Sequence, residues 1–240
     1  MPIAILRPAA TVVVVRPAAA GASFDVLMVR RNDKVAFMAG AFVFPGGRVD
    51  EADATREAPS AAGAWSASFS DLSPEEEQVY RAAAARELEE EARVRITSAD
   101  LVPLAHWVTP EIEIRRFDTR FFLVRMPDGQ EARHDEGETT ELRWLTPNAA
   151  LDAAERGEIM LPPPTWTTLM RLRPLSSIDE VLAWAHQTCI VRVQPRLIRS
   201  DEETILTLPG DPTYPTIDGW SIPAHTRFRL QEGRWRPVPV

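Results

Sequence analysis

Arg86-Glu87-Leu88-Glu89-Glu90-Glu91 is the stretch on which the fold turns. On a helix, residues three and four apart share a face, so Glu87, Glu90 and Glu91 converge on one side. Carboxylates held that close repel one another by on the order of a few tenths of a kcal/mol per pair. A divalent cation removes that repulsion, and hard oxygen donors are what Mg²⁺ takes. The helix is marked at its start, with Ser73 as N-cap, Pro74 at the first helical position and acids in the first turn. It is expected to run to about Val94. Ala82 to Ala85 and Leu88 offer small apolar groups for close packing on a sheet. An acidic run on a helix is more often a solvated face than a metal site, so the flanking sequence decides.

Upstream stands Phe42-Val43-Phe44-Pro45-Gly46-Gly47. Paired glycines after a strand let the backbone take unusual dihedrals and approach a ligand closely. A strand, a Gly-Gly turn and an acid-faced helix together suit a diphosphate. Thr11 to Val15 and Val26 to Arg30 read as earlier strands. Ala54 to Asp71, rich in Ala and Ser with Pro59 and Gly63, reads as an inserted loop.

Downstream of the acidic helix, Leu101 to Val108, Phe117 to Arg125 and Glu141 to Leu145 read as strands. Pro147 to Arg156 reads as a short helix closed by Gly157. Thr165 to Leu172 and Ile178 to His186 read as helices, and Cys189 to Ile198 and Thr204 to Leu208 as strands. The proline-rich tail from Pro209 is expected to wrap the surface rather than form a core of its own.

The chain has 240 residues and a net charge of −8, and 45% of it is hydrophobic, enough for an ordinary core. It has no basic run, so duplex nucleic acid is not an expected partner. No apolar stretch approaches the roughly 20 residues of a membrane span. A single cysteine, Cys189, excludes an internal disulfide and suits a reducing compartment. Its setting, QTCIVRV, reads as that of a small buried hydrophobe.

These motifs make the sequence resemble the Nudix hydrolase family. The family's box is a glycine, five residues, a glutamate, seven residues, then Arg-Glu-apolar-any-Glu-Glu-any-Gly-apolar. Arg86 to Val94 fits its second half, Gly47 fits the first glycine, and Asp53 stands at the spacing of the first glutamate. Three positions depart from it: Asp53 replaces Glu, the spacer before Arg86 is much longer than seven, and Arg93 replaces the box glycine. The first two leave open whether Asp53 meets metal. Because a non-glycine residue resists the left-handed conformation, the helix is expected to run on slightly, with Arg93 and Arg95 facing its negative end.

Phe37 to Gly47, Asp50 with Asp53, the insertion, Leu161 to Pro164 and Leu208 to Asp211 with Tyr214 are similar to the subgroup containing peroxisomal coenzyme A diphosphatases. The resemblance implies an α/β fold, the Nudix α/β/α sandwich with a mixed sheet. It implies a Nudix domain over about 8–160, with an insertion near 54–72, and a C-terminal extension over 161–240 packed on it. It also implies Mg²⁺, or alternatively Mn²⁺, held by Glu87, Glu90 and Glu91, with Arg86 orienting the carboxylates. Glu138 and Glu141 are the candidate bases, and Gly46, Gly47, Arg115 and Arg116 the candidate substrate contacts.

The implied reaction is Mg-dependent hydrolysis of a diphosphate, best matched to coenzyme A or acyl-coenzyme A. ADP-ribose, a dinucleotide or a nucleoside triphosphate are the alternative substrates, and a nucleotide-sensing module without catalysis is the alternative class. The expected partner is a small nucleotide, and a homodimer is left open. The chain lacks the peroxisomal Ser-Lys-Leu ending, so the subgroup's location does not carry over, and the expected location is cytoplasmic.

Overall fold

A computed structural model describes residues 4–19, 23–33, 38–55, 68–134 and 139–240. The acidic helix, α1 (Pro74–Ala92), starts as its sequence dictates. The Ser73 hydroxyl accepts from the Glu76 backbone N–H, and the Glu76 carboxylate accepts from the Ser73 N–H. A cap of this kind contributes about 1 kcal/mol. The other end departs from expectation. Arg93 adopts the left-handed conformation (φ 57°) and its N–H donates to the Glu89 carbonyl, so the helix stops at Ala92. Arg95 pairs with the Glu89 carboxylate.

α1 lies on one face of a mixed sheet. The strands are β1 (Leu6–Pro17), β2 (Phe24–Arg31), β3 (Phe42–Val43), β4 (Gly46–Arg48), β5 (Val102–Val108), β6 (Arg116–Arg125), β7 (Thr139–Leu145) and β8 (Arg192–Val193). They run in the order β3-β2-β1-β6-β5-β8, with β4 on β1 and β7 on β2. β1 and β6 are parallel, and β1 is antiparallel to both β2 and β4. Alternation along β1 divides two cores. Val12 and Val14 face α1 with Ala83, Ala84 and Leu88. Val13 and Val15 face the opposite layer, formed by α2 (Pro147–Glu155), α3 (Pro163–Leu172) and α4 (Ile178–Gln187). This is the expected sandwich of helices on both faces of a mixed sheet.

The C-terminal part departs from its expected form. α3 begins at Pro163, earlier than expected, because proline suits the first helical position. Cys189 to Ile198 breaks into β8 and β9 (Arg196–Arg199). The tail does not merely wrap the domain. β10 (Thr204–Thr207), β11 (Arg227–Gln231) and β12 (Arg234–Pro237) join β9 in a four-stranded sheet ordered β12-β11-β10-β9. Leu206, Leu208 and Phe228 carry it into the same apolar cluster as Val13 and Leu169. The core therefore runs without a break across residue 160. Cys189 is exposed rather than buried, with its Sγ beside Gly219.

Of the expected insertion, residues 56–67 lie outside the described part. Its end is fixed. Phe69 is buried, its N–H donates to Glu77, and Glu77 pairs with the fully buried Arg81. Asp71 accepts two hydrogen bonds from Arg120 of β6.

Candidate active site

β4 runs beside β1, with Gly46 opposite Thr11 and Gly47 opposite Ala10. That pairing presses the Gly-Gly segment between β1 and α1. A side chain at Gly46 would collide with the Ala10 carbonyl, and one at Gly47 with the Glu87 carboxylate. The Gly46 N–H donates to Glu91 Oε2 at 2.8 Å. The two halves of the motif, far apart in sequence, thus interlock in the fold.

Arg86 ties the cluster together. Its Nε and Nη2 donate to the two oxygens of Asp53, each at 2.9 Å, and Nη2 also reaches the Arg48 carbonyl. Its Nη1 donates to Glu87 Oε1 and to Glu90 Oε2, both at 2.9 Å. Asp53 sits in a short 3₁₀ turn (Glu51–Thr55) and is buried. It also accepts the Asp50 N–H. It serves here as the fixed anion that orients the guanidinium. Hydrogen bonding to Asp53 is the largest influence holding the Arg86 pKa above its ordinary value, with the charge of Glu87 adding to it. Arg86 is a permanent cation that aims two of the acids.

Glu87, Glu90, Glu91, Arg86, Gly46, Gly47 and Arg115 line one cleft of about 900 Å³. Ligand pockets of this kind usually span about 300–1,000 Å³, so this one has room for a large ligand. The other expected residues stand elsewhere. Arg116 is buried, and its guanidinium reaches the carbonyls of Thr109 and Ala4 instead of the cleft. Arg116 is the first residue of β6 and is turned inward, while Arg115, just before the strand, is exposed. Glu141, on β7, pairs with Arg143 at 2.5 Å and is not part of the cleft wall. Glu138 lies outside the described residues. The cleft also receives Asp50, which the resemblance had marked without a role, and Thr11 and Glu113, which sequence reading did not single out as site residues. Glu113 stands in the same short acidic and basic segment as Arg115, the only sequence signal that marks it.

The NUDIX domain model matches residues 5–162, which carry all of these groups. The chain belongs to the NUDIX domain family. Acyl-coenzyme A diphosphatase NUDT19 of Xenopus laevis is 31% identical over 118 residues, 46% of this chain and 31% of that protein. The "Putative nudix hydrolase 7" of Caenorhabditis elegans is 29% identical over 226 residues, covering 79% of this chain and 69% of that protein. The chain therefore spans about a third of the length of the first of these relatives. A solved NUDIX hydrolase from Alicyclobacillus acidocaldarius shares the fold, with a TM-score of 0.63 at 24% identity over 76% of this chain and 97% of that one.

Nudix hydrolases generally use divalent metal ions. The donors suit one, since carboxylate oxygens are the ligands that hard cations take. In this structure Glu87 and Glu90 turn to one nitrogen of Arg86 and Glu91 turns to the Gly46 N–H. Among the described residues no three His, Cys, Asp or Glu side chains stand gathered as a metal site. Glu90, 56% exposed, can rotate towards an ion in the cleft without disturbing packing. No helix among the described residues is long and apolar enough to cross a membrane.

Proposed function

We propose that the chain is a divalent-cation-dependent diphosphatase whose substrate is coenzyme A or an acyl-coenzyme A. The observation that carries this reading is the interlock of Gly46 and Gly47 with Glu91 and Glu87 inside the large cleft. The similarity to an acyl-coenzyme A diphosphatase supports the substrate class.

Glu87, Glu90 and Glu91 would hold the cation, Mg²⁺ or Mn²⁺, which supplies neutralisation of phosphoryl charge and a more acidic attacking water. Arg86 keeps Glu87 and Glu90 pointed to one side, so the acids need little reorganisation when substrate arrives. The absence of side chains at Gly46 and Gly47 lets a phosphate approach the backbone there. Arg115, at the rim, adds positive charge for a second phosphate group. In the reaction the water oxygen forms a new P–O bond as the bridging P–O bond breaks. The bridging oxygen leaves with the other phosphate, and the water gives up a proton. From coenzyme A the products are 3′,5′-ADP and phosphopantetheine.

The test is single-turnover hydrolysis of coenzyme A and ADP-ribose with Mg²⁺, by the unmodified protein and by Glu90→Gln. Coenzyme A should be cleaved faster, and Glu90→Gln should lose activity by orders of magnitude while its thermal unfolding is retained. Preferential cleavage of ADP-ribose would replace the substrate. Tight nucleotide binding without cleavage would replace the enzyme by a sensor.

A further inference from the structure

The cleft floor is one face of the large sheet, and strand register gives its direction. Arg48 of β4 lies opposite Ala9 of β1, Ala9 opposite Thr119 of β6, Thr119 opposite Trp107 of β5, and Trp107 opposite Val193 of β8. Strands are about 4.8 Å apart, so Trp107 stands roughly 15 Å across the sheet from β4. The diphosphate-facing glycines are thus at one side of the floor and an indole at the other.

Past Trp107 the wall comes from the C-terminal part. Pro195, Leu206 of β10 and Trp235 of β12 all line the cleft, and they offer hydrocarbon and aromatic surface. Leu206 is buried in the shared core, so this wall is fixed in place. Trp235 has a second side. It also lines a smaller cavity of about 140 Å³ with Ile159, Leu161 and Trp166. Trp235 thus borders both the cleft and this recess, whose wall also carries Glu155, Arg234 and Arg236.

We propose that the C-terminal sheet is the specificity element of the cleft, and that Trp235 sets the length of the acyl chain it accepts. The inference rests on the coenzyme A reading above and adds to it the acyl chain as the group seated against Trp107, Leu206 and Trp235. Apolar walls discriminate by how much of the chain they bury, and a methylene in such a pocket changes kcat/KM by roughly tenfold or more. A floor that continues about three strand spacings beyond the glycines serves a ligand extending well past its diphosphate.

The experiment measures kcat/KM for coenzyme A and for a series of saturated acyl-coenzyme A thioesters of increasing length. The unmodified protein should show a length optimum, with free coenzyme A below it by at least about tenfold. Trp235→Ala removes the indole that borders both spaces and should move the optimum to longer chains. Leu206→Trp fills the wall and should move it to shorter ones. Thermal unfolding of both variants gives the folding control, and Trp235→Ala decides alone if Leu206→Trp does not fold. A flat length profile in a protein that cleaves coenzyme A would overturn this inference and leave the diphosphatase reading standing. So would an optimum that stays put in folded Trp235→Ala. Failure to cleave coenzyme A or any of its thioesters would instead overturn both.

Discussion

The Glu87 carboxylate occupies the space where a side chain on Gly47 would stand: an added Cβ would collide with Oε1 and with the carboxyl carbon. Gly47→Ala therefore forces movement, and the far end of Glu87 moves more easily than the backbone of β4. The fold should survive with a small change in Tm, while turnover falls by on the order of a hundredfold through misplacement of the acid. Steady-state kinetics beside thermal unfolding checks this. A variant with normal turnover would show that the position of Glu87 does not matter.

Asp53 and Arg86 form a buried pair, with side chains 0% and 9% exposed. Asp53→Asn leaves the Arg86 charge without its bidentate partner. The cost is about 3 kcal/mol of stability, measurable by urea unfolding. Cation affinity should change less than it does in Glu90→Gln. If Asp53 were itself a metal ligand, the result would be the reverse: little stability lost and cation affinity strongly weakened.

The sequence made the start of α1 legible because a capping box is local chemistry, complete within Ser73 to Glu76. The sandwich was legible only through the family resemblance, because the apolar run of β1, buried on both faces, is compatible with that fold but does not single it out. The contact between Gly47 and Glu87 depends on a motif, since no local rule joins residues so far apart. Other features escaped for physical reasons. Arg227, Arg229, Arg234 and Arg236 alternate with apolar residues along β11 and β12, so prolines and charge hid two strands. Arg115 and Arg116 look alike in sequence, and only the start of β6 between them separates the one that lines the cleft from the one that is buried.

Arg93 is an exposed residue in the left-handed conformation, where its Cβ costs about 1–2 kcal/mol against glycine. Arg93→Gly restores the residue type that this helix end favours. It should stabilise the protein by about 0.5–1 kcal/mol, after the entropy that glycine adds to the unfolded chain. Urea midpoints measure the gain, and diphosphatase activity should be unaffected. A destabilised variant would mean that the Arg93 side chain makes a contribution larger than the strain.

The C-terminal sheet has its own acid-sensitive latch. Asp211 is buried and accepts from Arg227 Nε at 2.8 Å and Nη2 at 3.1 Å, and from the Thr213 hydroxyl and N–H. Burial pushes the Asp211 carboxyl up, but the hydrogen bonds from Arg227 and Thr213 together outweigh it and hold the carboxyl below its ordinary value. A carboxyl depressed in the folded state adds stability that is present above the unfolded value, about pH 3.9, and lost as pH falls through the folded one. Asp211→Asn should therefore cost about 1–3 kcal/mol at pH 7, since Arg227 keeps an amide oxygen but loses the charge. The difference between the two proteins should shrink as pH drops below about 4. Because Leu206 and Phe228 tie this sheet to the shared core, the loss should appear in global unfolding. It should also appear as a blunted acyl-length optimum, because the wall carrying Leu206 and Trp235 loosens. Urea unfolding of both proteins at pH 7 and at pH 3 gives the comparison, and a difference that grows towards acid would show that Asp211 is not held as an anion.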